Sequence, residues 1–84
     1  MSTSATMRDH RVSDVRITDE ALIVQLKDGR EIHAPLSWFP RLQRATEEQR
    51  SKWESSAAGY GIHWPLIDED LSVDGLLRGE PAPA

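Results

Sequence analysis

The sequence predicts an α+β fold: a small antiparallel sheet of three to four strands, led by a β-β-β meander. Short helices, a short extended segment and a C-terminal helix come after it. Three observations predict this. Across residues 12–34 apolar side chains alternate with polar ones, the period-2 signature of half-buried strands. An Asp28-Gly29 pair separates two of those runs, the residue pair favoured in hairpin turns. Beyond Pro35 the apolar spacing lengthens to three and four positions, as on one face of a helix.

Residues 1–11 are polar and without periodicity, and read as a disordered tail. Val15 and Ile17 then alternate with Asp14 and Arg16, giving a first strand that Thr18-Asp19-Glu20 closes as a polar turn. In the next run Leu22, Val24 and Leu26 share one face. Asp28-Gly29 comes one residue after it, beyond Lys27, and predicts a type I′ turn, whose two positive φ angles these residues tolerate. Arg30-Glu31-Ile32-His33-Ala34 is the return strand, ended by Pro35, which has no N–H to give a ladder.

The middle reads as helical. Trp38, Leu42 and Ala45 fall at i, i+4 and i+7. Thr46 and Gln49 fit a capping box, with Glu47 and Glu48 in the first turn, where the helix dipole favours acids. A helix over 47–54 would carry Trp53 inward, and Gly59-Tyr60-Gly61 would break it. Ile62-His63-Trp64, closed by Pro65, is a fourth strand or an extended edge segment. Ser72 is a good N-cap for a last helix, with Val73, Leu76 and Leu77 as its apolar stripe and Gly79 as its stop. The chain thus holds one domain over residues 12–79, with a flexible end over 80–84.

Composition narrows the class. At 84 residues and 9.5 kDa there is room for one modest core, and a chain this short buries only about 60–65% of its unfolded surface. With no cysteine there is no disulfide framework, so packing or a second subunit must hold the fold. A homodimer would supply the missing burial. The opening residues lack the basic start and apolar stretch of a secretion signal, and no apolar run approaches the length of a membrane span, so a cytoplasmic location is expected. The net charge of -4 resides entirely in the last stretch. From Leu66 onward Asp68, Glu69, Asp70, Asp74 and Glu80 face one base, Arg78, whereas the residues before it balance nine acids against nine bases. A general basic footprint for nucleic acid is absent, and a partner for the acidic part would be basic.

The residues richest in chemistry are Tyr60, His63 and Trp64 with the run Asp68-Glu69-Asp70. As an active site they would make His63 a general base oriented by Asp68 or Asp70. As structure, His63 bonds backbone at a strand end and the acids form a turn or cap the next helix. As a binding surface, Tyr60, His63, Trp64, Asp68, Glu69 and Asp70 are its contact residues, an exposed tryptophan or Tyr60 acting as the hot spot. Of the three tryptophans, Trp38, Trp53 and Trp64, at least two are core anchors. No metal or cofactor is expected: His10, His33 and His63 have no ligand spacing, and Gly59-Tyr60-Gly61 is too short for a phosphate loop. No serine sits in a nucleophile elbow. Arg41, Arg44, Arg50 and Lys52 are interleaved with Glu47, Glu48 and Glu54, as on a solvated helix face.

Several stretches together resemble a family of short bacterial proteins classed as a domain of unknown function. They are Leu26-x-Asp28-Gly29-Arg30, Pro35-Leu36-x-Trp38-Phe39-Pro40-Arg41-Leu42, Ala45-Thr46-x-Glu48-x-Arg50, Gly61-Ile62-His63-Trp64-Pro65 and Asp68-Glu69-Asp70-Leu71-Ser72. The resemblance covers about residues 12–79 and implies an α+β domain. Some longer relatives resemble this domain joined to a helix-turn-helix region, for which 84 residues leave no room. Short relatives are encoded beside another small protein, an arrangement similar to toxin–antitoxin pairs. The resemblance therefore implies a non-catalytic protein-binding adaptor or antitoxin-like module with a small basic protein partner. The alternatives are a DNA-associated transcriptional regulator, in which Arg41, Arg44 and Arg50 track phosphates, and a small enzyme built on His63 and its acidic neighbour.

Overall fold

The computed structural model describes residues 8–81. Strands β1 (Val12–Ile17), β2 (Ala21–Leu26) and β3 (Glu31–Pro35) form the expected antiparallel meander, in the order β1-β2-β3. Leu22, Val24 and Leu26 all point into the core, as their alternation requires. In β1 the alternation slips. Val12 pairs with Leu26 and Asp14 with Gln25, so Ser13 is an extra residue, and the bulge lets both Val12 and Val15 face inward. Thr18 closes the first turn by accepting from the N–H groups of Glu20 and Ala21.

The second turn corrects one expectation. Only Gly29 has a positive φ, at 96°, and Asp28 does not, so the turn is not type I′. Gly29 N–H donates to the Leu26 carbonyl and Leu26 N–H to the Arg30 carbonyl. Together these make a three-residue loop in which a type I turn ends in a left-handed glycine. Asp28 serves the loop with its side chain, accepting from the Arg30 backbone and guanidinium at 3.1 and 2.7 Å. That guanidinium holds the Asp28 carboxyl below the usual carboxylate range. The segment before β1 is also tied down, because Lys27 and Asp28 N–H groups donate to the carbonyls of Arg11 and Asp9. Order thus begins before residue 12, and the expectation of a tail bears only on residues 1–7, outside the described residues, as are 82–84.

After β3 the chain does not form one helix. Leu36–Trp38 is a single 3₁₀ turn, and α1 (Pro40–Arg44) begins afresh at Pro40. A proline at the first helical position forces the residue before it out of the helical region, and Phe39 accordingly has φ −127° and ψ 81°. The buried residues are Leu36, Phe39 and Leu42, while Trp38 and Ala45 are only half-buried. The capping box forms as expected. Thr46 Oγ1 accepts from Gln49 N–H at 3.1 Å and Gln49 Oε1 accepts from Thr46 N–H at 2.9 Å. Helix α2 (Glu47–Ser51) nonetheless stops well short of residue 54.

Beyond α2 the chain builds a second sheet, of which the sequence showed only one strand. β4 (Glu54–Ser56), β5 (Gly61–Trp64) and β6 (Glu69–Ser72) are antiparallel in that order. The turn between β4 and β5 is left-handed at three successive residues: Ala57, Ala58 and Gly59 have φ of 51°, 58° and 97°. Helix α3 (Val73–Arg78) is capped by Ser72 Oγ, which accepts from Gly75 N–H at 2.9 Å, and ends on left-handed Gly79. Of its expected stripe Val73 and Leu76 are buried, and Leu77 is exposed.

One core joins the two sheets. Val12, Val15, Leu22, Val24, Leu26 and Ala34 meet Leu36, Phe39 and Leu42, the β5 residues Ile62 and Trp64, and Val73 and Leu76. Because β5 alternates like any strand, burying Ile62 and Trp64 turns His63 to the opposite face.

Candidate functional site

The outer face of the second sheet collects polar residues by register alone. His63 on β5 lies between Glu54 on β4 and Asp70 on β6, and Gly61 lies between Ser56 and Ser72. Directly opposed residues share a face, so Glu54, His63 and Asp70 form one rung of side chains. His63 Nδ1 stands 3.2 Å from Asp70 Oδ1, but the geometry is not that of a hydrogen bond and Nδ1 is otherwise without a partner among the described residues. Contact of this kind attracts only when the imidazole is protonated. Asp70 itself is open to solvent, its side chain 69% exposed.

The turn from β5 to β6 adds Asp68, exposed and left-handed at φ 54°, a conformation aspartate tolerates better than most residues. Its carbonyl accepts from the Arg41 guanidinium at 2.7 Å, which fixes the turn against α1. Glu69 is different. It is only 7% exposed and makes no side-chain hydrogen bond or ion pair among the described residues. It lines a groove of about 170 Å³ together with Asp70, Leu71, Ser72, Leu76 and Glu80. The Arg78 guanidinium beside Glu80 draws its carboxyl below the usual range.

Tyr60 is 49% exposed and lines a separate cavity of about 460 Å³ with His10, Ala57, Ser72, Val73 and Asp74. Ser72 belongs to both hollows. His10 Nε2 is buried there without a hydrogen-bond partner among the described residues.

Of the six expected contact residues, the fold brings His63 and Asp70 into contact and leaves Asp68 and Tyr60 exposed nearby. Glu69 is recessed in the groove. Trp64 must be withdrawn as a surface contact: it is 0% exposed, and its indole N–H donates to the Arg50 carbonyl at 3.0 Å. Trp53, expected inside, is half-buried. The sequence missed Glu54 as a member of this face because a helix is expected over residue 54. It also placed residues 68–70 in a turn, whereas β6 starts at Glu69.

Two other readings meet structural facts. His63 lines none of the four cavities described for residues 8–81, so none of them offers it a substrate hollow. The Arg41 guanidinium is committed to the Asp68 carbonyl, and that of Arg50 donates to the Leu42 and Gln43 carbonyls at 2.9 and 3.1 Å. Arg44 makes no such bond among the described residues. Among the described residues no cluster of three metal-ligating side chains occurs, and no helix is long and apolar enough to cross a membrane.

Residues 12–82 match a family described as "Protein of unknown function (DUF2442)", and the chain belongs to that family. Among solved structures it is similar to a protein of unknown function from Rhodospirillum rubrum, with 29% identity and a TM-score of 0.74 over 90% of this chain and 94% of that one. It is also similar to an uncharacterized protein from Chromobacterium violaceum, with 26% identity and a TM-score of 0.73 over 88% of this chain and 70% of that one. No curated protein matches it.

Proposed function

We propose that this member of an uncharacterised family is a non-catalytic protein-binding module, an adaptor or antitoxin-like partner, that offers its second sheet to a small basic protein. One observation carries the reading: the carboxylates of this half of the molecule are largely uncompensated. Between residues 54 and 80, Asp74 and Glu80 share Arg78, and Asp70 has only His63. Glu54, Asp68 and Glu69 have no cationic partner among the described residues. Surface acids left together repel one another, and a basic partner relieves that repulsion while speeding encounter. Asp68, Asp70, His63 and Tyr60 are the contacts this reading uses.

The test is capture from a lysate of the native host at low salt on the tagged chain, beside a variant carrying Asp68→Asn and Asp70→Lys. Asparagine is chosen at 68 because it accepts the left-handed backbone there. A stoichiometric small basic protein held by the wild type and lost by the folded variant is the expected outcome. Equal capture by both proteins, or nucleic acid without protein, would refute the reading.

A further inference from the structure

We infer that the open edge of β6 takes an extended, basic segment of the partner protein as an added strand. The inference rests on the protein-binding reading above and specifies how the binding is made.

Among the described residues β6 pairs with β5 on one side only, so its other side presents backbone groups unpaired among them. All four of its residues line the 170 Å³ groove. Since successive side chains of a strand point to opposite faces, a groove touched by all four must run along the strand's edge rather than over one face. Gly75, Leu76, Glu80 and Pro81 make the far wall.

The other edges are protected in ways β6 is not. β1 is bulged at Ser13, β3 ends in Pro35, and β4 is three residues long and runs into the left-handed turn. Bulges, prolines and short strands are the usual means of blocking edge pairing.

The groove also states the chemistry of its occupant. Glu69 is more than nine-tenths buried in it and unpartnered among the described residues. Its carboxylate has no cationic partner among the described residues, so the residue seated against Glu69 is a lysine or arginine that supplies one. The next residue lies by Asp70 on the outer face and is basic too, and the one beside Leu71 is apolar. Four residues of β6 present about 13 Å of edge, enough for four residues of an added strand. A second copy of this chain fits poorly, because self-pairing of β6 would bring Glu69 and Asp70 of both copies together.

The probe is a synthetic decapeptide with the central order Thr-Val-Arg-Lys, which reads antiparallel against Ser72, Leu71, Asp70 and Glu69. Titrated into the full chain and followed by amide NMR, it should bind one to one and shift the amides of residues 69–72. Methylating the peptide nitrogens at alternate positions removes ladder donors without altering charge or the protein. One of the two alternate sets should weaken binding roughly tenfold or more, and the other little. The variant Glu69→Gln should weaken the unmethylated peptide as well.

Equal affinity of both methylated sets, shifts away from 69–72, absence of binding, or a self-associated chain that the peptide fails to displace would each overturn strand addition. None of these touches the broader reading, whose failure shows instead as capture of the natural partner insensitive to Asp68 and Asp70.

Discussion

His63 and Asp70 meet across the β5–β6 ladder, Nδ1 to Oδ1 at 3.2 Å, with Glu54 completing the rung on the other side. A histidine seven positions before an aspartate becomes its neighbour because the tight turn over 65–68 folds one strand back on the other. The pairing is a consequence of register, and it needs no catalytic purpose to exist.

It should accordingly contribute little to stability. Asp70 is largely exposed, and exposed pairs are worth about 1 kcal/mol or less. In a double-mutant cycle with Asp70→Asn and His63→Gln, urea denaturation should return a coupling below about 1 kcal/mol. Coupling above about 2 kcal/mol would mean that the rung holds the sheet together, and that loss of partner capture on changing Asp70 could reflect damage to the fold.

Ala58 offers a test of the turn that separates β4 from β5. Its φ of 58° costs an L-residue about 1–2 kcal/mol, whereas glycine pays no such penalty and loses about 0.5–1 kcal/mol through its freer unfolded chain. Ala58→Gly should therefore leave stability unchanged or raise it by up to about 1 kcal/mol. The same exchange at Ala34, buried in β3, should lower it by about 1 kcal/mol or more. A clear loss at position 58 would contradict the left-handed backbone there.

Trp64 separates a core role from a contact role. Trp64→Phe keeps most of the buried ring but removes the donor to the Arg50 carbonyl, and should cost about 1–3 kcal/mol in chemical denaturation. Capture of the partner by the folded variant should be unchanged. If binding were lost while stability held, the indole would have to be a contact after all.

The meander, the Thr46–Gln49 capping box, the Ser72 cap and the Gly79 stop were legible in the sequence because each depends on local rules. Alternation sets a strand face, a hydroxyl satisfies a helix N-terminus, and glycine takes a left-handed stop. The fold class and the acidic character of the last stretch came from the same kind of information. The second sheet did not. β4 reads as the continuation of a helix and β6 as an acidic turn, since residues 54–56 and 69–72 are poor strand formers in isolation. They become strands because β5 lies between them, its Ile62 and Trp64 drawn into a core assembled from distant parts of the chain. That burial sends Trp64 inward and His63 outward, recesses Glu69 and leaves Asp70 exposed. The sequence by itself determined which residues carry the charge. Only the tertiary structure decided which of them stay exposed, because burial depends on contacts between segments that no local pattern specifies.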